Sequence, residues 1–400
     1  ACGIGRDNGE SLSTVLRQLS RFILIRYPAT VGSCFFRNVP DFFRLGYINN
    51  NTTEHSQYSQ CHRLDNIHER YCTMEETNSE KTEFKAKIKY TVFIYGYLHL
   101  AALYGIYLIF TSNVQWKTLL WTFVLLQCAT VGITAGAHRL WCHRAYKAKL
   151  PLQLILVIFN SIAYMDTITN WVRYHRMHHK YADTDGDPHN SKRGLFFSQF
   201  GWLLVQEHPD VINKGKTIYM DDINNNKLLK FQHQYGWLVI GLWAYVIPTV
   251  VPMYFWGESF VNSWHICSML RHCLTFNLIF LVNSVGHRWG SRPFDKNIKA
   301  VENTFISVLA SGECFHNYHH VFPFDYKASE LGMTKFNAAT MFINFFASVG
   351  WAYDLKTIPD HVIESRSKRT GDGRNLWGWG DKDQTEEETK NVELLYSKSE

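Results

Sequence analysis

Four stretches of this chain are too apolar and too long to be housed anywhere but a lipid bilayer. Residues 91–110, TVFIYGYLHLAALYGIYLIF, and 118–137, TLLWTFVLLQCATVGITAGA, each run twenty residues without a formal charge. At a rise of about 1.5 Å per residue, each can cross a hydrocarbon core roughly 30 Å thick. No water reaches backbone amides there, so each segment must satisfy its own as a helix. Residues 235–256, YGWLVIGLWAYVIPTVVPMYFW, make a third span, and its Pro248 and Pro252 are tolerable inside a bundle. Residues 263–285 make a fourth, although they carry Arg271 and His272, which must face the bundle interior or snorkel to an interface. The expected fold is an all-α integral membrane protein with four transmembrane helices near 91–110, 118–137, 235–256 and 263–285.

The connections set the topology. TSNVQWK joins the first two spans and GESFVNS the last two, and between them they hold a single lysine. Residues 138–234, the region before 91 and the region after 287 are rich in Lys and Arg. The positive-inside rule places those regions, and with them both termini, in the cytosol. That bias also accounts for the formal charge of +6, which gives no ground for a nucleic-acid partner. Nine cysteines without a CxxC pair fit a reducing compartment. Residues 1–85 read as a variable, partly disordered cytosolic region, and 86–373 as one functional domain. Residues 374–400, with their DKDQTEEETK run, read as an acidic disordered tail. Residues 151–165 are apolar but short of a full span, as for a helix in the interface or tucked under the bundle.

Nine of the nineteen histidines fall in four tight groups. His138 and His143 stand in HRLWCH, His175, His178 and His179 in HRMHH, His287 in NSVGHRWG, and His316, His319 and His320 in HNYHH. Positions i, i+3 and i+4 share one face of a helix, so each triplet can aim three imidazoles at one point. His138 and His287 directly follow the second and fourth spans, and the triplets lie in the cytosolic regions just beyond. All four groups can therefore meet at one membrane-proximal site. Nine imidazoles exceed the four or so that one zinc ion uses, so two metal ions are expected. Imidazole alone does not select the metal. Glu313, Asp183, Asp185 and Asp187 flank the triplets as carboxylates able to orient imidazole N–H groups, and His189 is the further histidine best placed to support them. Cys142 and Cys314 read as packing residues.

With these motifs in place, the chain resembles the membrane acyl-CoA desaturases of the stearoyl-CoA or Delta-9 type, of animal and insect-like character. The resemblance covers about residues 91–373 and rests on GAHRLWCHRAYKAKLPLQ, HRMHHKYADTDGDPHNSKRGLFFSQFGWLLV, NSVGHRWGSRPFDKNI, GECFHNYHHVFPFDYKASE and RTGDG. It implies a four-helix membrane bundle capped by a helical cytosolic domain with a histidine-rich di-metal site. Two iron ions would be held by the nine histidines, with Asn283 contributing through a water, and no catalytic side chain would be needed beyond the ligands. The implied reaction is O2-dependent desaturation of a long-chain saturated acyl-CoA in unsaturated fatty acid biosynthesis. Electrons would come from cytochrome b5 and its NADH-dependent reductase, at the endoplasmic reticulum membrane. Trp171, Arg173, Met165 and Ile279 match substrate-binding positions. Tyr174 stands where the family commonly has an acid associated with the CoA head, and Gln206 and Glu207 stand where it often has basic residues. Met165 and Ile279 replace polar tunnel residues, and Cys314 replaces a common glycine. The same scaffold also fits a hydroxylase, a desaturase of a different lipid, or a catalytically silent lipid-binding homologue.

Overall fold

In the computed structural model, residues 87–310, 313, 315–329, 337–373 and 390 are described. The expectations for residues 1–85, for Cys314 and for the 374–400 tail, Lys390 apart, fall outside the described residues. Each apolar run forms a helix long and apolar enough to cross a membrane: α1 (Thr91–Thr111), α2 (Trp116–Cys142), α5 (Gly236–Trp256) and α6 (Phe260–His287). Between α2 and α5 lies a bent pair, α3 (Leu150–Ala163) and α4 (Ile168–Tyr181), whose axes meet at 81°. After α6 come α7 (His316–Val321), α8 (Ala338–Ser348) and α9 (Asp360–Thr370). A two-stranded antiparallel ribbon, β1 (Lys147–Ala148) with β2 (Ala352–Tyr353), ties the start of α3 to the end of α8.

Helix α2 outruns its apolar stretch. The expected end was residue 137, but the helix continues to Cys142 and carries His138 and Arg139 within it. Its last segment, Gly132–Cys142, has π-helical winding and is buried throughout. Charge did not end this helix because protein groups, not lipid, surround the polar residues. The wider turn also frees carbonyls from the helix ladder. The Tyr146 hydroxyl donates to one of them, Ala135 O, at 2.8 Å.

The structure places α3 differently from a helix lying flat in the interface. It runs back along α2, so closely that a Cβ on Gly132 would sit 2.3 Å from the Phe159 carbonyl carbon and from the Asn160 nitrogen. Ile162, Ala163 and Met165, at its far end, pack in one buried cluster with Leu125, Ala129 and Ile133 of α2. A re-entrant helix of this kind leaves its last carbonyls unsatisfied in a place without water. Arg271 supplies the donors. Its guanidinium donates to Ile162 O at 2.6 Å, to Ala244 O at 2.7 Å and to Cys267 O at 3.0 Å, the last two in π-helical stretches of α5 and α6. Arg271 is fully buried and faces the bundle interior, which resolves the two placements open to it from sequence. Tyr164 and Asp166 take left-handed backbone angles, φ 51° and 75°, and turn the chain into α4.

At the opposite end of the bundle, one carboxylate joins the two short loops. Glu258 accepts from Thr118 Oγ1 at 2.6 Å, from the Gln115 amide at 3.0 Å and from Asn262 Nδ2 at 2.9 Å.

Candidate metal centre

Helix α4 begins at Thr167, whose side chain caps Asn170 N. With that frame, His175, His178 and His179 lie on one face. Arg176, on another side of the helix, fixes the direction of that face. It donates to Trp141 O at 2.8 Å and Cys142 O at 3.3 Å, the carbonyls left open where α2 ends, and to Asp222 at 2.7 Å and 2.9 Å. The triplet is thereby turned toward His138 and His143 at the end of α2. The second triplet rides on α7, and His287 is the last residue of α6.

The nine histidines divide into two groups. His138, His143, His175, His179 and His319 have ligand atoms within 4.8 Å of one another, and so do His178, His287, His316 and His320. In the first, Nε2 atoms meet at 3.1 Å (His143–His175), 3.1 Å (His175–His179), 3.0 Å (His179–His319) and 3.0 Å (His319–His138). In the second the distances are 2.9 Å (His287–His316), 3.0 Å (His316–His320) and 3.2 Å (His320–His178). One Nε2 proton cannot serve two neighbours, so these contacts cannot all be hydrogen bonds. Nitrogen lone pairs converging at such range repel, and a cation between them removes the repulsion. The donor set therefore fits two metal ions, one per group.

Carboxylates behind the rings fix which nitrogen faces inward. His138 Nδ1 lies 2.7 Å from Glu313 Oε2, His178 Nδ1 3.0 Å from Asp187 Oδ2, and His287 Nδ1 3.5 Å from Asp183 Oδ2. At His138 and His178 an Nδ1–H donating outward leaves Nε2 as the free ligand atom, whereas His287 only lies near its carboxylate. Burial alone would raise the Glu313 carboxyl, but Arg139 and His138 bring it down to about 2. Asp187, buried beside His178 and His189, is likewise held below the usual carboxylate range against the effect of burial. Asp185 is exposed and takes no part. His189 is buried next to His178, ring centroids 4.4 Å apart, and its Nδ1 comes within 3.5 Å of Asp187 without a hydrogen bond to it. Burial first, and then neighbouring imidazoles, hold His143, His175, His179, His316, His319 and His320 well below the ordinary histidine value, in the neutral form that binds metal.

Sequence reading missed Arg139. It is fully buried, donates to Glu313 at 2.7 Å and 3.1 Å, and continues to Tyr326 O at 2.9 Å and Thr340 Oγ1 at 2.8 Å. Through it the end of α2 is fastened to the segment before α7 and to the first turn of α8. The one available signal was an arginine beside a span-end histidine.

Of the other singled-out residues, Met165 and Ile279 meet in the buried apolar cluster that also holds Phe276 and Phe280. Trp171 packs against that cluster and stacks on His175, centroids 4.8 Å apart and planes 18° apart. Asn283 is half-buried on α6, one turn ahead of His287. Arg173 is exposed, with its guanidinium 5.4 Å from the Tyr174 ring. Tyr174 does not stand alone: its hydroxyl donates to Glu207 Oε1 at 2.5 Å, and its ring lies edge-on to Trp202. Burial and that carboxylate together push the phenol up. Tyr174 and Glu207, two of the positions singled out in the sequence, are thus partners. Gln206 is exposed, and its amide bonds Lys87 O at 2.8 Å.

Comparison with known proteins gives a match to the fatty acid desaturase family over residues 115–335. The chain is 53% identical over 322 residues to an acyl-CoA Delta(11) desaturase of Trichoplusia ni, covering 80% of this chain and 92% of that one. It is 51% identical over 298 residues to an acyl-CoA Delta-9 desaturase of Acheta domesticus, covering 74% and 83%. To stearoyl-CoA desaturase 5 of Bos taurus it is 49% identical over 282 residues, covering 70% and 83%.

Proposed function

The chain belongs to the fatty acid desaturase family, membrane oxidoreductases of fatty acyl-CoA, and from that premise we propose that it desaturates a long-chain saturated acyl-CoA at a di-iron centre. The carrying observation is one of adjacency. Two all-imidazole groups stand at the ends of α2 and α6, and Trp171 links His175 to the buried apolar cluster around Met165 and Ile279. An acyl chain is apolar along its length and reacts at one methylene pair, so an apolar channel ending at a metal pair is what it requires.

The proposed ligands are His138, His143, His175, His179 and His319 for one iron, and His178, His287, His316 and His320 for the other, with Asn283 contributing through a water. When bound, the iron pair supplies the reduction of O2 that makes cleavage of an unactivated C–H bond feasible. Overall, two hydrogens leave the chain as an alkene forms, and O2 takes up two electrons and two further protons to become two waters. The protein holds the geometry. Glu313 and Asp187 keep the imidazoles of His138 and His178 turned inward, Trp171 braces His175, and Phe276, Ile279 and Phe280 with Met165 exclude water from the chain. Cytochrome b5 and its NADH-dependent reductase are the proposed electron source, and the endoplasmic reticulum membrane the location, with both termini in the cytosol. Delta-9 insertion is the proposed regiochemistry. Relatives named for Delta-9 and for Delta(11) are about equally similar, so product mapping decides it.

The test is expression in desaturase-deficient yeast fed labelled palmitate or stearate. A Delta-9 alkene supports the whole reading, and a Delta-11 alkene keeps the reaction but moves the position. A hydroxy acid without alkene overturns desaturation. No product from iron-loaded protein supplied with cytochrome b5 leaves a lipid-binding homologue.

A further inference from the structure

We propose that α8, together with the outer edge of α3, is an in-plane lipid contact that seats the cytosolic domain in the membrane surface, a contact separate from the four spans and independent of the reaction. Residues 338–353, covering α8 and β2, contain no charged side chain. One face of α8 is protein core: Ala339 and Ile343 are fully buried, and Phe342 and Phe346 pack against the cluster that holds Leu152 and Leu156 of α3. Among the described residues, the opposite face is left exposed. Met341, Phe345 and Val349, spaced i, i+4 and i+8, are each half or more exposed, at 50%, 63% and 52%. An apolar stripe of this kind facing water would be a liability for a soluble surface.

Lipid is the occupant that the surroundings select. Helix α8 packs directly on α2, both on its final π-helical segment and on the apolar span upstream of it. Beside it, Phe342 of α8 meets Phe159 of re-entrant α3, ring centroids 6.2 Å apart. Leu150 and Leu154, on the outer edge of α3, are exposed as well. Around the ribbon that links α3 to α8 stand exposed Arg144, Lys147, Lys149 and Lys356, of which Arg144 pairs with Asp222 and Lys147 with Asp354. An apolar stripe with basic residues at its rim is the pattern of a helix lying at the level of anionic headgroups. Aliphatic lysine stems can follow such a surface while their ammonium groups reach the phosphates.

The experiment uses the full chain in phospholipid nanodiscs, with Phe345→p-benzoylphenylalanine and, as a second site, Met341→p-benzoylphenylalanine. The control is the same substitution at Val362, an exposed position on the charged helix α9. After irradiation, intact-mass analysis reads phospholipid adducts. Several-fold more lipid adduct at 345 and 341 than at 362 is the expected result. Lipid adducts no more abundant than at 362, or chain-to-chain crosslinks as the main product, would overturn the proposal, the latter because a second copy would then cover the stripe.

Discussion

Glu313 accepts from both His138 and Arg139, so removing its carboxylate breaks two connections at once. Glu313→Ala leaves a fully buried guanidinium without its counter-charge and a ligand imidazole free to rotate. Losing such an orienting partner costs about 10–100-fold in metal affinity, and an uncompensated buried charge costs on the order of 3–5 kcal/mol. Iron per chain, measured after titration against a competing chelator, should fall by that factor, and thermal unfolding should shift down with it. Glu313→Gln keeps the shape and one acceptor, and should retain more iron than the alanine variant. How much of this was legible beforehand depends on the residue. The six histidines of the two triplets announce themselves because their spacing is local, three positions on about one helical turn, while His138, His143 and His287 were legible from their places just past the spans. Glu313 and Asp187 were visible as carboxylates beside those triplets. Arg139 was not, since its partners Tyr326 and Thr340 lie far along the chain and no periodicity connects them. The Tyr174–Glu207 bond was hidden for the same reason, although both residues had been singled out separately.

Among the elements, α3 is the one whose sequence leaves two placements open, in the interface or under the bundle, and the structure packs it against α2. Its length and apolarity fit a surface helix as well as a buried one, and only two features outside it decide between them. One is Gly132, whose missing side chain lets α3 approach α2. Gly132→Ala would set a Cβ 2.3 Å from backbone atoms of residues 159 and 160, and backbone cannot step aside as a side chain can. We expect a loss of roughly 1–3 kcal/mol or more, as for overpacked cores, read as a lower unfolding temperature with reduced product formation. The other is Arg271. Arg271→Met strips the donor from three carbonyls, and each buried group left unsatisfied costs about 1–3 kcal/mol. The full-length variant should unfold well below the parent protein in nanodiscs. Arg271→Lys should recover only part of the loss, because one ammonium cannot span carbonyls on three helices. The four spans, by contrast, were readable to within a few residues, since an apolar run of that length has one physical outcome in a bilayer. Their ends were misjudged where the helix passes from lipid into protein, as at His138.

At the scale of the whole molecule, the two imidazole groups fix the topology. By length and composition the bent pair α3–α4 could be counted as a fifth span. His143 precedes that pair and His175 lies within its second half, yet their Nε2 atoms are 3.1 Å apart. A chain that crossed the bilayer between them could not bring them together, so α3 enters and the chain returns on the same side. His287 and His316 meet at 2.9 Å and join His178, which brings the end of α6 and the last triplet to that side as well. Each group is built from separate regions of the chain, α2 with α4 and α7 in one and α4 with α6 and α7 in the other. A metal bound there links elements that packing and hydrogen bonds, among them those of Arg139 and Arg176, also hold together. Binding to the folded state alone stabilises it as the logarithm of ligand excess over Kd, so stripping iron with a chelator should lower the unfolding temperature, and adding ferrous iron should restore it. The sidedness itself is testable in microsomes. A glycosylation acceptor loop inserted after Asn113, between α1 and α2, should be modified in the lumen. The same loop inserted after Arg193, beyond α4, should stay unmodified. Modification at the second position would mean that α3 and α4 do cross, and two groups of histidines whose nitrogens lie about 3 Å apart would then require a different fold.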